Sequence, residues 1–282
     1  MAATILDGKA LAATEREEVA AAVAEFSRKH GRVPSIAVVQ VEGDPASERY
    51  VRQIGRSFEG VGMGFQIELM PGDSLEAQVV ALVSQLSRRR DVSGIIVQIP
   101  LPKHISQEAV VSAIAPAKDV DGVNPINAGR LLAGTGEYFA PATPSGGMEI
   151  LRRYNIPIAG HHAVVVGRSN IVGKPMALLL LHEHATVTIC HSRTPDLGAI
   201  TRQADILVAA VGKARMITAD MVKPGAAVID FGVNIVEGKS VGDVDYDAAL
   251  GVAGAITPVP GGTGPMTNIM LMRNTLRAAA QI

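Results

Sequence analysis

Short, largely apolar runs recur along this chain, most of them bounded by glycine or proline, with stretches of helical spacing between several of them. Residues 35–41 (SIAVVQV), 64–70, 93–100 (SGIIVQIP), 163–167 (AVVVG), 185–190 (ATVTIC), 204–212 (ADILVAAVG), 226–232 (AAVIDFG) and 253–260 (AGAITPVP) are such runs. A strand with one face in water alternates apolar and polar side chains. A strand apolar throughout is covered on both faces, as in the parallel sheets made by strand–helix–strand units. Helical spacing fills the intervals at 10–30, 46–61, 74–89, 107–115 and 173–184, with a last helix over 264–280. The pattern predicts an α/β protein of two units. Turn residues cluster between Asp119 and Ser145, so the expected division is 1–140 with a returning segment 265–282, and 141–264.

Charge narrows the function. Lys+Arg 26 against Asp+Glu 27 leaves a net charge of -1, so no global positive field exists to hold nucleic acid or an anionic membrane, and any anionic ligand must meet a local site. Phe 5 and Tyr 4 with no Trp are too few for a single-strand stacking platform. The one cysteine, Cys190, excludes an intramolecular disulfide and a cysteine-cluster zinc site, and a reducing, cytoplasmic setting is expected. Residues 1–9 lack a secretory pattern, and the apolar run at 176–181 is too short to span a bilayer. His182 and His184 have i, i+2 spacing that turns them apart on a helix, so no metal site is expected.

The segment VVVGRSNIVGKP (164–175) follows a strand and opens a helix. Gly167 at the strand end permits a tight turn, and the following N–H groups with the helix N-terminus can receive a phosphate. Its spacing departs from G-x-G-x-x-G: Ser169 stands at the second glycine, and Gly173 comes one residue late. An ordinary strand-to-helix turn is the competing reading. The next strand ends in His191, Ser192, Arg193 and Thr194, with no carboxylate to bind a ribose 2′-hydroxyl. A basic, hydroxyl-bearing cluster favours NADP, with Arg193 and Arg168 on its phosphates; a merely solvated basic loop is the alternative.

Several longer segments carry a specific resemblance. DPASERYV (44–51), GIIVQIPLP (94–102), KDVDGVNPINAGRL (118–131), PATPSG (141–146), the phosphate turn, ADILVAAVG, GDVDY (242–246) and PVPGGTGPMT (258–267) together resemble the bifunctional methylenetetrahydrofolate dehydrogenase/cyclohydrolase family, FolD, in the right order over nearly the whole chain. The resemblance implies a folate-binding catalytic domain and a Rossmann NADP-binding domain with the folate in a cleft between them, usually in a homodimer. The implied chemistry oxidises 5,10-methylenetetrahydrofolate to 5,10-methenyltetrahydrofolate with NADP+, then hydrates and opens the product to 10-formyltetrahydrofolate. By position, Tyr50, Gln98 and Asp121 are the implied catalytic and folate-binding residues, and Pro260 and Gly261 line the folate side. Gly167, Arg168, Ser169, Gly173, Ser192, Arg193 and Val233 are the implied cofactor residues.

The residues themselves leave other readings open. Gln98 interrupts an apolar strand, where a buried amide without a ligand needs internal partners. Either acid of DVDG, Asp119 or Asp121, can cap a turn, and Tyr50 can be plain packing. One departure bears on the chemistry. The family's catalytic helix carries Tyr-x-x-x-Lys, an amine one turn from the tyrosine, and this chain has Ile54 there. Arg52 and Arg56 are off that spacing, and a guanidinium does not give up its proton. Ala142 and Thr263, where relatives often have cysteine and valine, are milder departures. Hydride transfer is mostly positioning and electrostatics, whereas hydration needs a proton carrier whose loss costs about 10²- to 10⁴-fold. The expectation is therefore an NADP-dependent dehydrogenase with weak or absent cyclohydrolase activity. A fully bifunctional enzyme and a non-catalytic folate- or nucleotide-binding paralogue are the alternatives.

Overall fold

Backbone pairing gathers the apolar runs into two separate parallel sheets. The computed structural model describes residues 3–43 and 45–281. Asp44, which opens one of the family-like segments, and Met1 and Ile282, the outer bounds of the expected division, lie outside the described residues. Two units result: one holds residues 14–142 and 268–281, the other residues 3–13 and 143–267.

The chain opens with β1 (Thr4–Ile5) and α1 (Gly8–His30). The first unit then runs β2 (Ser35–Val41), α2 (Pro45–Glu59), β3 (Gly64–Met70), α3 (Glu76–Arg88), β4 (Gly94–Val97), α4 (Gln107–Ser112) and α5 (Pro125–Ala133). Its strands pair in parallel in the order β3-β2-β4. The central β2 is buried from Ile36 onward, as a largely apolar strand between two neighbours must be, with Gln40 its one buried polar side chain. Ala37, Val39 and Val41 pack with Val79, Val83 and Leu86 of α3 and with Ile95 and Val97 of β4. Two expectations need correction here. The run 93–100 pairs as a strand only to Val97, because Pro100 has no N–H to continue the ladder. Gln98 thus stands at the strand's C-terminal mouth and not inside the sheet. The turn-rich interval 119–145 also contains α5, whose N-cap Asn124 accepts from the Ile126 N–H at 2.8 Å, followed by Pro125 at the first helical position.

The second unit runs α6 (Ala142–Arg153), β5 (His162–Val166), α7 (Gly173–His182), β6 (Thr186–Cys190), α8 (Leu197–Thr201), β7 (Ile206–Ala209), β8 (Ala227–Asp230), β9 (Asn234–Val236), β10 (Lys239–Val241), α9 (Tyr246–Ala249), β11 (Ala255–Ile256) and the first turn of α10 (Thr263–Ala279), whose remainder from Asn268 belongs to the first unit. Six strands form one parallel sheet in the order β1-β11-β8-β7-β5-β6. Val164, Val166, Leu207, Ala209, Val228 and Ile256 fill its core. The expected division, 1–140 and 265–282 against 141–264, differs from this packing at its start. Residues 3–13 join the second unit because Thr4 and Leu6 donate to Gly254 and Ile256 at 2.8 and 2.9 Å, adding β1 to the edge strand β11. Pro258 and Pro260 limit pairing within 253–260 to Ala255 and Ile256. The hairpin β9–β10 was not expected. Its turn residues Glu237 (φ 50°) and Gly238 (φ 76°) both lie in the left-handed region, the pairing of a tight two-residue turn, without the usual Asn-Gly or Asp-Gly signal. Among the described residues, no helix is long and apolar enough to cross a membrane.

Candidate active site

In the first unit, three of the expected residues belong to one end of the sheet. Ile95 bridges Asp119 in parallel, so the turn from Asp119 to Gly122, which carries Asp121, starts beside β4. The Gln98 N–H donates to Val39 at 2.8 Å, and its Nε2 donates to the Ile99 carbonyl at 2.9 Å. Tyr50 lies on α2 with 37% of its surface open. Burial of its ring, and then the negative charge of Asp121, push the phenol above its ordinary range. Tyr50 and Asp121 are therefore electrostatic neighbours.

The two acids of DVDG have different work. Asp119 is fully buried and its oxygens are occupied: Oδ1 accepts from Val123 N–H at 3.0 Å, and Oδ2 from Asn124 N–H and Asn127 Nδ2, both at 2.8 Å. It organises the start of α5. Asp121 is partly buried, and desolvation, reinforced by the charge of Asp119, raises its carboxyl pKa from 3.8 to about 7. A carboxyl poised there can take or give a proton at neutral pH. Lys118, at the head of the same segment, is buried beneath the last turn of α3, where Nζ donates to the Leu86 and Arg89 carbonyls. That role had no signal in the sequence.

Position 54 is interior. Ile54 is fully buried, as are Val51 and Phe58, and the three form the inward stripe of α2. Arg52 is exposed and pairs with Glu48 at 3.6 Å, away from that stripe.

In the second unit, the remaining residues gather at the C-terminal ends of the parallel strands. Gly167 follows β5 with φ 131°, and a Cβ there would lie 2.2 Å from the Ala210 carbonyl oxygen. A Cβ on Gly173 would lie 2.3 Å from the Gly167 oxygen, so both positions admit only glycine without displacement. Ser169 Oγ accepts from the Val172 and Gly173 N–H groups at 3.1 and 3.3 Å, bracing the turn into α7. Arg168 and Ser169 are exposed. After β6, the His191 N–H donates to Thr194 Oγ1 at 2.9 Å and the Arg193 N–H to His191 Nδ1 at 3.1 Å. His191 and Thr194 thus shape the turn, leaving the exposed side chains of Ser192 and Arg193 for a ligand. Val233, beyond β8, is 70% exposed. Pro260 is exposed, and Gly261 (φ 105°) accepts from the Lys9 N–H at 2.8 Å. Thr263 Oγ1 donates to the Asp230 carbonyl at 2.9 Å. Cys190 is buried, and burial raises its thiol pKa, so it is a packing residue.

These groups fit a dinucleotide. The turn has no Cβ at its two closest approaches, a helix N-terminus follows, and a guanidinium stands where a carboxylate would otherwise select NAD.

Comparison with known proteins agrees. The catalytic domain of tetrahydrofolate dehydrogenase/cyclohydrolase matches residues 6–121, and the NAD(P)-binding domain of the same enzyme matches residues 141–282. A protein of Roseiflexus sp. (strain RS-1) named bifunctional protein FolD is 56% identical over 282 residues, covering 100% of this chain and 98% of that protein. The crystal structure of the bifunctional FolD methylenetetrahydrofolate dehydrogenase/cyclohydrolase from Campylobacter jejuni is 42% identical with a TM-score of 0.97, over 99% of each chain. The Trypanosoma brucei methylenetetrahydrofolate dehydrogenase-cyclohydrolase, solved with NADP cofactor and inhibitor, is 37% identical with a TM-score of 0.95, over 100% of this chain and 98% of that one. The chain belongs to the tetrahydrofolate dehydrogenase/cyclohydrolase family, and it is an enzyme with dehydrogenase activity and an NAD(P)-binding domain.

Proposed function

We propose that the protein is a fully bifunctional enzyme, an NADP-dependent 5,10-methylenetetrahydrofolate dehydrogenase that also converts the methenyl product to 10-formyltetrahydrofolate. This replaces the expectation of a weak second step. Relatives that match the whole chain are named bifunctional, and the observation that carries the reading is Asp121, titrating near neutrality beside Tyr50.

NADP+, when bound, supplies the hydride acceptor. Gly167, Gly173 and the N-terminus of α7 hold its pyrophosphate, with Arg168 and Ser169 at the rim. Ser192 and Arg193 hold the 2′-phosphate, with Arg193 able to make two parallel charge-assisted bonds. Val233 gives an apolar contact. Gln98 and Asp121 hold the polar edge of the pterin, Tyr50 covers its face, and Pro260 with Gly261 belongs to the folate side.

Oxidation of the methylene bridge leaves a cation, and an ionised Asp121 favours positive charge nearby. Hydration then needs a proton removed from the attacking water and one delivered to the departing nitrogen. Ile54 can do neither. Asp121 can do both in turn because neither of its protonation states dominates near pH 7, and Gln98 orients the water. Tyr50 is protonated throughout and acts as a donor.

The edge strand β3 supports a homodimer. Its Ile67 and Leu69 are 43% and 57% exposed, an apolar edge that a lone protomer leaves in water.

The test is a spectrophotometric assay of the unmutated protein with methylenetetrahydrofolate and either NADP+ or NAD+, followed by decay of added methenyltetrahydrofolate. Reduced cofactor forming mainly from NADP+, with methenyl decay well above background, is the expected result. Decay at the background rate would leave a dehydrogenase alone.

A further inference from the structure

Two buried carboxylates underlie the loops that follow β7 and β8, and neither has a part in the chemistry above. Asp243 is fully buried. Its Oδ2 accepts from the Val211 and Gly212 N–H groups at 2.6 and 2.9 Å. Its Oδ1 accepts from the Lys213 N–H at 2.9 Å and from Asn234 Nδ2 at 3.0 Å. Asp230, at the end of β8, accepts at Oδ1 from Gly232 N–H at 2.7 Å and from Asp243 N–H at 3.1 Å, and at Oδ2 from Val244 N–H at 2.9 Å. A carboxylate is the one side chain that accepts at both oxygens and donates at neither, so an amide at position 243 would turn a donor toward donors. Two glycines let the backbone reach these oxygens. A Cβ on Gly232 would lie 2.3 Å from Asp243 Oδ1, and one on Gly242 would lie 1.9 Å from Asp230 Oδ2.

The clamp grips both neighbours of one exposed apolar residue. Val233 is 70% exposed, yet Gly232 before it is bonded to Asp230 and Asn234 after it to Asp243. Fixing a valine in water gains nothing for the fold by itself. The sheet order says which part of a ligand it meets. The chain reverses direction across the sheet at β5, with β6 on one side and β7 and β8 on the other. A dinucleotide bound over such a reversal places its adenosine half toward β6, where Ser192 and Arg193 stand, and its other half toward β7 and β8.

We propose that Asp243 and Asn234 are positioning residues for the nicotinamide half of NADP, acting by holding Val233 and the segment 211–213 in one arrangement. The proposal rests on the NADP reading given above and deepens it. Asp243→Asn is the direct variant, but it strips several buried bonds at once. Asn234→Ala removes one of them and leaves the three backbone bonds of Asp243 in place, so it is the deciding variant. Three quantities are measured on it and on the parent: kcat/KM for NADP+, affinity for 2′,5′-ADP by calorimetry, and the thermal midpoint. The expected result is a loss of roughly tenfold or more in kcat/KM, the scale of a small displacement of a reacting group, with 2′,5′-ADP affinity unchanged. Unchanged kcat/KM overturns the proposal. Equal weakening of NADP+ and 2′,5′-ADP overturns it as well, since that is what general loosening of the unit does. Failure of the parent itself to bind 2′,5′-ADP would instead strike the NADP reading on which the proposal rests, and overturn both.

Discussion

Asp119 and Asp121 stand two residues apart in one turn, yet burial and hydrogen bonding give them unrelated chemistry. Both are acids in a segment rich in turn residues, and their spacing is the same whichever is functional. Only the structure reveals that Asp119 is consumed by three N–H donors at the start of α5 while Asp121 is left to titrate. The raised pKa of Asp121 predicts a stability effect of definite sign. The folded state binds its proton up to about pH 7, whereas an unfolded aspartate releases it near 3.8. Between those values the folded protein holds more protons, so stability falls as pH rises through the window, and the cost is complete above pH 7. Asp121→Asn should remove this cost and raise stability on the order of 1–3 kcal/mol at pH 8, after allowance for partial solvent access, while turnover collapses. Thermal melts at pH 3.5 and pH 8 check it: an equal shift at both values would mean that the carboxyl is not ionised against its surroundings. Cofactor choice is a second residue-scale matter, and here the sequence was informative, because the end of β6 lacks a carboxylate whatever the turn's shape. Arg193→Ala should weaken NADP+ by roughly 10- to 100-fold, the loss of a charge-assisted bidentate pair, and leave NAD+ nearly untouched. Equal loss in titrations of both cofactors would mean that Arg193 does not read the 2′-phosphate.

Elements were legible where apolar periodicity was strong and obscure where proline or short length intervened. The runs 35–41 and 64–70 coincide with β2 and β3. The stretch from Asp119 to Ser145 hid α5, because Asn-Pro and Asn-Ala-Gly carry the composition of a turn and the cap Asn124 is itself a turn residue. On α2 the inward stripe gives position 54 a packing role. The one-turn spacing from Tyr50 is real, but Ile54 also shares the stripe of Val51 and Phe58, all fully buried. An amine placed there must either lose its charge or disturb the packing. Ile54→Lys should therefore destabilise the fold, by roughly 2–4 kcal/mol, and should not raise the rate of methenyl decay above the parent's. A melt and a decay assay on the same preparation decide between packing and catalysis. A variant that keeps its thermal midpoint and hydrolyses faster would return the proton carrier to the helix.

At the scale of the whole molecule, which strand lies at an edge is set by long-range pairing and leaves little trace in a local window. β3 illustrates this. Its residues 64–70 read as one more strand, but it has a single partner, β2, and its other side bears backbone groups without a strand neighbour in the sheet β3-β2-β4. An open edge with exposed Ile67 and Leu69 invites pairing with another chain, and monomeric proteins blunt such edges with lysine, proline or a bulge. None of the three interrupts GFQIELM, although Glu68 lies between the two exposed side chains. A second copy of the chain is the economical occupant, because a two-fold pairing sets the same patch against itself and covers both edges at once. Leu69→Lys places a charge on the most exposed apolar residue of that strand without touching the buried face of β2. The parent should sediment as a dimer and Leu69→Lys predominantly as a monomer at the same concentration, with the secondary structure by circular dichroism unchanged. A parent that sediments as a monomer throughout the micromolar range would remove the homodimer. A variant that stays dimeric would move the interface away from β3, since a buried, unpaired lysine in an interface core costs several kcal/mol and is incompatible with tight association.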